Sequence, residues 1–302
     1  MTTTRLPLAP LRIANLMAAH PRRGRRPWRR AGGTAAFHTT AIILAVLWFF
    51  PIALVLFTSF RTLGDVIANG VGSFAGQPLT LGNYGQAWNQ AGMFRAMSNS
   101  FIITIPVVFL TLALGSFAAF GLSRYRVRLR RTILLVMLAG NLLPAQLLLI
   151  PYVKIAEGLG IFDMFVTVIA AQTAFGLGFY TFVLYGFMRA IPTELQDAAS
   201  IDGAGPLRIY FQIILPLCKP ALAALGALAF TGIFNDLLLA ITLLRSDEKF
   251  PVTAAVLSLK GEYNSQWNLI AAATVIAAIP CIIVFLVFQR SFVGGLALGA
   301  VK

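Results

Sequence analysis

Asp236 is the only charged residue in the interior of a long apolar run of this sequence, the run at 219–244 that begins at Lys219. A carboxylate at the centre of a hydrocarbon layer costs about 2.5–3.5 kcal/mol, so such residues usually face a polar cavity or a polar partner. Asp236 therefore either lines a path for a polar solute or pairs with another helix. Amide side chains that could bind a hydroxylated solute lie in or beside the apolar runs, and each also suits a hydrogen bond between helices. These candidates are Asn235, Asn99, Asn141 and Gln146.

A second group of residues with informative spacing lies between two apolar runs, at 189–219. Thr193 begins a capping-box pattern with the glutamine three residues later, and Gly203 suits the left-handed end of a short helix. Pro206 can open a second helix in its first turn, and Pro216 is expected to close it. The pattern predicts two short helices with a sharp corner between them. On the residues alone, this segment is either an ordinary helical connection or a docking surface.

The residue types that carry common enzyme chemistry are sparse. Two histidines and two cysteines, all far apart, do not make a transition-metal site, a disulfide framework or a Ser-His-Asp or Cys-His arrangement. No Gly-Lys dipeptide occurs, so the phosphate-binding loop G-x-x-x-x-G-K-[ST] is missing. The adjacent carboxylates Asp247 and Glu248 lie in a polar loop and fit a solvated turn. We therefore predict that the chain is not an enzyme and has no metal site.

The composition indicates an integral membrane protein. Of 302 residues, 58% are hydrophobic and only 11% are charged, whereas a soluble domain carries about a quarter charged residues. The net charge of +14 comes from clusters beside apolar runs and not from a folded basic domain, so we expect no nucleic-acid binding. Residues 1–36 contain eight arginines and no acid. They are predicted to form a disordered arm in contact with anionic lipid.

Six stretches are long and apolar enough to cross a bilayer as helices, which need about 20 residues each. They are continuous, unlike the alternating strands of an outer-membrane barrel, and they predict an all-α polytopic fold. The stretches are at about 38–60, 97–123, 132–153, 164–188, 219–244 and 266–289.

The basic residues predict the orientation. With the amino terminus inside, the segments 1–36, 124–131, 189–219 and 290–302 are cytoplasmic and contain 18 of the 24 lysines and arginines. Cytoplasmic loops of membrane proteins are enriched in these residues. Both termini are therefore expected on the cytoplasmic side.

Two motifs resemble those of a known family. In the loop at 189–219, Asp197-Ala198-Ala199, then Gly203, Ile213 and Leu215-Pro216, resembles the EAA loop of ATP-binding-cassette importer permeases. Ile201-Asp202-Gly203-Ala204 and Pro220 resemble the carbohydrate-uptake branch, in particular the maltose-type permeases. The tail from Gln289 to Lys302 is similar to the smaller, second permease of such heterodimers. The resemblance covers about residues 38–302.

The resemblance implies the type I importer permease fold, with six transmembrane helices in residues 37–302. In that family the EAA loop inserts into a cleft of the ATPase, which makes 189–219 a coupling loop. A coupling turn and two aromatic cleft contacts are implied. The turn comprises Asp197, Ala198, Ala199 and Gly203, and the aromatic contacts are Tyr210 and Phe211.

The resemblance also implies a function and a set of partners. The chain would be the permease subunit of an ATP-driven importer for a sugar, oligosaccharide or polyol-type solute in a bacterial-type inner membrane. Its partners would be a second homologous permease, two ATPase subunits that bind ATP and Mg, and an extracytoplasmic solute-binding protein. The alternative is an ion-coupled secondary carrier, although such carriers tend to have inverted repeats and several intramembrane ionisable groups.

Overall fold

A computed structural model describes residues 28–74, 78–261 and 265–300, and the chain is helical with no β-sheet in these ranges. The first seven helices are α1 (Trp28–Thr58), α2 (Leu63–Asn69), α3 (Gly82–Gln90), α4 (Met93–Arg124), α5 (Arg130–Leu142), α6 (Leu149–Gly158) and α7 (Phe165–Ala190). The others are α8 (Glu194–Ile201), α9 (Pro206–Ile209), α10 (Leu215–Leu217), α11 (Lys219–Phe234), α12 (Leu238–Leu243), α13 (Val252–Ser258) and α14 (Trp267–Ala300). The all-α membrane fold is confirmed.

The predicted amino-terminal arm, 1–36, falls largely outside the described residues. Positions 1–27 are not described, and 28–36 form the first turns of α1. The chain divides into two compact units, residues 1–52 and 53–302. The second unit contains every described helix after α1, and it holds all the candidate site residues.

Four helices in the described ranges are long and apolar enough to cross a membrane without interruption: the stretch Ala36–Thr58 of α1, α4, α7 and the stretch Trp267–Ser291 of α14. Two further spans are bent helix pairs. The pair Arg130–Leu142 and Ala145–Gly158 bends by 92°, and the pair Pro206–Leu217 and Lys219–Phe234 bends by 74°. Counting each bent pair as one gives six candidate spans, as predicted, but the second pair covers 206–234 and not the predicted stretch 219–244.

The prediction of an uninterrupted helix is wrong for two of the six spans. In the stretch 132–153, α5 ends at Leu142 because Pro144 disfavours helical backbone at the preceding residue, and Leu143 is extended with ψ 134°. In the stretch 219–244, α11 ends at Phe234 and α12 begins only at Leu238. Broken helices are tolerated at membrane depth where the freed backbone is buried in protein or lines a cavity.

Helices α4 and α7 pack along their length and form the centre of the second unit. Toward one end of the pair, Val107 of α4 and Val168 of α7 lie in one buried cluster. Toward the other end, Ala119 of α4 and Leu184 of α7 lie in another. Helix α5 joins α7 at Gly178, where an added Cβ would overlap the Met137 carbonyl group of α5.

A buried polar network secures the segment that follows α1. The Arg61 guanidinium, fully buried, pairs with the Asp65 carboxylate and donates to the carbonyl oxygens of Gly70 and Ser73 at 2.8 and 2.9 Å. Asn83 Nδ2 donates to the Arg61 carbonyl oxygen at 2.7 Å, and Asn268 of α14 donates to Asn83 Oδ1 at 2.9 Å. This network fixes α2 and α3 against the start of α14.

A second polar contact joins the turn before α7 to the loop after α12. The Asp163 carboxylate accepts from the Ser246 hydroxyl and the Arg245 N–H, and it pairs with Lys249 Nζ at 2.9 Å. These hydrogen bonds hold the pKa of the Asp163 carboxyl well below its usual range. The two loops are therefore held together by a carboxylate that is ionised at neutral pH.

Replacing Gly178 with alanine tests the close approach of α5 and α7. The added methyl group has to displace the backbone of α5, and overpacking of this kind costs about 1–3 kcal/mol. The matched control is Gly186→Ala in the same helix, where an added Cβ has no atom within 4 Å. We expect a lower Tm of the purified protein for Gly178→Ala only. Equal Tm values for the two variants would contradict this packing.

Candidate functional site

The corner of the loop at 189–219 has the geometry predicted for it. Gly203 follows α8 with φ +81°, a left-handed conformation that glycine adopts without strain. Its N–H donates to the Ser200 carbonyl oxygen at 3.1 Å, and the Ala204 N–H donates to that of Ala199 at 2.9 Å. These two bonds are those of a Schellman motif, which ends a helix and turns the chain sharply.

The predicted capping box at the start of α8 is wrong. Thr193 has helical backbone angles, φ −73° and ψ −24°, and its side chain makes no capping hydrogen bond. Its carbonyl oxygen instead accepts from the N–H groups of Gln196 and Asp197, at 2.9 and 3.0 Å. The backbone alone provides the first bonds of the helix, so the hydroxyl group is not needed there.

The second half of the loop is a helix with a widened turn. Pro206 opens α9 as predicted, residues Tyr210–Ile214 form a π-helical turn, and α10 follows. A proline ring clashes with the carbonyl four residues before it, and Pro216 stands four residues after Gln212 in this turn. The π turn therefore makes room for Pro216, and the chain bends by 74° at Cys218 into α11.

Tyr210 is buried within this protein. The prediction that it contacts another protein is therefore wrong. The exposed fraction of Tyr210 is 1%, its hydroxyl is 2.6 Å from Ser116 Oγ of α4, and its ring stacks on Phe117 at 4.3 Å. The residue anchors the loop to a membrane span. Phe211, the neighbouring aromatic, is half exposed.

The outward surface of the loop combines small, acidic and apolar side chains. Asp197 and Ala198 are exposed on α8, and Ala199 is half-buried against the cluster that contains Tyr210. Apolar side chains are also exposed here, Ile201 with an exposed fraction of 86%. The others are Leu195, Leu207 and Phe211. Clustered exposed apolar groups rimmed by polar residues are typical of protein contact sites.

Arg124 fixes the point where the loop begins, a role that was not predicted from the sequence. Its guanidinium donates to the carbonyl oxygens of Met188 and Ile191 at 2.6 and 3.0 Å. These carbonyls lie at the end of α7, where an arginine is favourable for the helix dipole. In the sequence, Arg124 was one member of a basic cluster.

Asp236 lies at the break in the fifth span, beside a cleft of about 280 Å³. Its Oδ1 accepts from the Leu239 N–H at 3.1 Å and so caps α12. Further polar residues line the same cleft, and within the described ranges the buried atoms Thr111 Oγ1 and Gln172 Oε1 have no hydrogen-bond partner. The polar lining comprises Asn141, Thr111, Gln172 and Tyr180. Of the residues proposed for a path, Asp236 and Asn141 thus lie together.

Asn235 lines a different cleft, of about 430 Å³, on the α13 and α14 side of the same break. Its Nδ2 donates to the Thr231 carbonyl oxygen at 2.8 Å. Lys260 and Trp267 also line this cleft. The two adjacent residues at the break therefore belong to separate openings.

The other two path candidates lie outside both clefts. Asn99 is buried, and its Nδ2 donates to the carbonyl oxygens of Glu248 and Phe250 at 2.8 and 3.1 Å. Asn99 therefore joins α4 to the loop that contains Glu248 and Phe250. This position corrects its assignment to a path. Gln146 is exposed, in a short 3₁₀ segment, and lines neither cleft. In the described parts of the chain, no three His, Cys, Asp or Glu side chains come together to hold a metal ion.

Comparison with known proteins gives a consistent result. Residues 111–297 match the family described as binding-protein-dependent transport system inner membrane component. The diacetylchitobiose uptake permease of Streptomyces coelicolor is 30% identical, over 89% of this chain and 89% of the relative. The melibiose/raffinose/stachyose import permease of Bacillus subtilis is 32% identical, over 87% and 94%. The osmoprotective compounds uptake permease of Synechocystis is 32% identical, over 88% and 91%.

The fold also matches a solved structure. A chain of a bacterial ABC transporter involved in the import of the acidic polysaccharide alginate superposes with a TM-score of 0.75. The identity is 23%, and the match covers 88% of this chain and 98% of that chain. The architecture is therefore the type I fold of an ABC importer permease.

The bond between Tyr210 and Ser116 can be tested with a double-mutant cycle. Tyr210→Phe and Ser116→Ala each remove one partner, and the double variant removes both. We expect a coupling energy of about 0.5–1.5 kcal/mol, the usual net contribution of a hydrogen bond. Hydrogen exchange of the amides in 206–217 measures the free energy of local opening. Strictly additive effects of the two substitutions would contradict an anchoring bond.

Proposed function

We propose that this chain, which belongs to the family of binding-protein-dependent transport system inner membrane components, is the permease subunit of an ATP-driven importer for a sugar, oligosaccharide or polyol-type solute. It is a multi-pass protein of the inner membrane and not an ion-coupled secondary carrier. The observation that carries the proposal is the cleft at Asp236. Thr111 and Gln172, whose buried oxygen atoms have no hydrogen-bond partner among the described residues, line this cavity in the bundle of spans.

The chemistry of this cleft supports a hydroxylated, uncharged solute. Thr111, Gln172 and Asn141 offer both hydrogen-bond donors and acceptors, and Tyr180 adds an aromatic face. Ligand sites for small polar molecules combine such an apolar wall with a few placed polar groups. The relatives are described as permeases for diacetylchitobiose, for melibiose, raffinose and stachyose, and for osmoprotective compounds, a range that this chemistry also fits. In this proposal the path includes Asp236 and Asn141, with Asn235 at the neighbouring cleft.

The proposal assigns ATP hydrolysis to other chains. The loop at 189–219 would dock a separate ATPase, which binds ATP and Mg, through the turn Asp197-Ala198-Ala199 and the corner at Gly203. The exposed side chains of Ile201 and Phe211 suit an apolar cleft in that partner. A second homologous permease would complete the path, and an extracytoplasmic binding protein would deliver the solute. Two ATPase subunits would serve the permease pair.

The docking loop has to face the cytoplasm for ATP to drive it. The bias of lysine and arginine toward the same side as this loop supports that orientation, with both termini in the cytoplasm. The basic arm at 1–36 would then lie against the inner leaflet. The domain formed by 37–302 would contain the six spans and the coupling loop.

Substitutions at two glycines of the coupling loop test the docking. Gly203→Ala forces a left-handed alanine, at a cost of about 1–2 kcal/mol, and distorts the corner. Gly205→Ala is the matched control, since Gly205 has φ −72° and open space around its Cβ position. We expect normal membrane amounts of both variants, but weaker ATPase co-purification and slower solute uptake for Gly203→Ala only.

The same preparation tests the proposed function as a whole. The unsubstituted chain, purified without crosslinking, should carry a second permease and the ATPase subunits in stoichiometric amounts. A chain that purifies alone and transports along an ion gradient would contradict the importer. Identical ATPase capture by the two glycine variants would contradict only the role of the corner.

Two substitutions at Asp236 separate its charge from its capping bond. Asparagine keeps a capping oxygen for α12, whereas alanine removes it at a cost of about 1 kcal/mol. We expect Asp236→Asn to assemble normally and to change the ATPase rate stimulated by solute-loaded binding protein. Asp236→Ala should lower the Tm of the complex as well.

The control for Asp236→Asn is Asp247→Asn, which removes a carboxylate from the exposed outer loop. It should leave the stimulated ATPase rate unchanged. Wild-type rates and uptake for Asp236→Asn would show that Asp236 serves only as a helix cap.

A further inference from the structure

The loop between α4 and α5 concentrates positive charge that the described residues do not neutralise. Arg124 donates to backbone carbonyls, and the Arg130 guanidinium lies 5.8 Å from the centre of the Tyr185 ring. Arg126, Arg128 and Arg131 are exposed. In the described ranges, the ion pairs are those of Arg61 and Lys249, so none of these arginines has a carboxylate partner.

These arginines surround a shallow cleft with a volume of about 650 Å³. It is lined by residues 126–132, which include four arginines and no acidic residue. A concave surface with charge of one sign attracts counter-ions more strongly than isolated surface charges do. Arginine also presents a planar fork of donors that matches the oxygens of a phosphate group.

The start of α5 adds to the positive potential. Arg130 and Arg131 occupy the first turn of this helix, which has no acidic residue and no side-chain cap. The amino end of a helix carries partial positive charge, so cations in the first turn are unfavourable there. Leu129 before it has φ 60°, which is uncommon for a residue with a side chain. A bound anion would relieve the repulsion between these arginines and the helix end.

Apolar side chains continue directly from this surface. Leu129 has an exposed fraction of 68%, and Leu135 and Val136 on the first turns of α5 are exposed to a similar extent. A free phosphate ion has no apolar group that could contact these side chains, whereas the acyl chains of a phospholipid would cover them. The combination of an arginine cluster and an adjoining apolar helix face therefore favours a lipid over a soluble anion.

We propose that residues 126–132 bind the phosphate head group of an anionic phospholipid of the cytoplasmic leaflet, with its acyl chains along α5. The side of the membrane rests on the orientation in the proposed function. Arg126, Arg128 and Arg131 contact the head group, while Arg124 and Arg130 hold the loop in place. Because α4 also carries Ser116, the lipid stabilises the helix to which the coupling loop is anchored.

The test uses the full transporter in detergent, titrated with dioleoylphosphatidylglycerol and followed by native mass spectrometry. The variant Arg126→Gln/Arg128→Gln/Arg131→Gln should bind this lipid more weakly, by roughly fivefold per arginine and about a hundredfold in total. The variant with lysine at the three positions should keep most of the binding. Dioleoylphosphatidylcholine should bind all variants weakly and equally.

The control Arg95→Gln/Lys154→Gln/Arg245→Gln removes the same charge from exposed positions outside this loop and outside the amino-terminal arm, and it should bind the lipid like the wild type. Equal weakening by this control, or no weakening by the loop variant, would overturn the site. If millimolar inorganic phosphate displaces the lipid, the proposal of a lipid site is wrong and the site binds a soluble anion. Co-purification of the ATPase with each variant reports on importer assembly independently of lipid binding. A wrong lipid-site proposal is therefore distinguishable from a wrong proposed function.

Discussion

The packing of α4 against α7 is the contact on which both ends of this permease depend. Between the ends, buried apolar side chains such as Val107 and Val168 hold the two helices together. Near the start of α4, Ser100 Oγ accepts from the Val252 N–H at 2.8 Å. At the other end, Ser116 contacts Tyr210, and Arg124 caps α7. One helix pair thus positions the segment at Val252, the polar cleft and the loop at 189–219.

The spans could be predicted from the sequence because bilayer thickness sets the length of an apolar run. The breaks could not, because proline alone does not decide them. Pro51, Pro106 and Pro280 all stand inside uninterrupted helices, whereas Pro144 follows the end of α5. A proline in a membrane helix is tolerated when neighbours satisfy the freed carbonyls. That condition depends on tertiary packing, which a single sequence does not contain.

Features of the candidate site were likewise predictable where their cause is local in the sequence, and not where it is distant. Gly203 was predictable because its left-handed conformation is a property of the local turn. The inward position of Tyr210 was not, since its partner Ser116 is 94 positions away. Asn99 looked like a ligand for a solute because a sequence does not reveal the backbone carbonyls of a loop about 150 residues further on. Gln172 was missed because an amide in an apolar run resembles any interhelical hydrogen-bonding group.

The coupling loop and the cleft are connected by direct contacts through α4. Tyr210 and Arg124 tie the loop to the ends of α4 and α7, so a rigid displacement of the loop has to move these helices or break buried hydrogen bonds. Near the start of α4, Ser100 accepts from the Val252 N–H, and the adjacent Thr253 donates to the Asp236 carbonyl oxygen at 3.1 Å. Asp236 stands where the fifth span is already broken, and a broken helix bends at lower cost than a continuous one. Motion delivered by an ATPase at the loop would therefore be concentrated at the cleft.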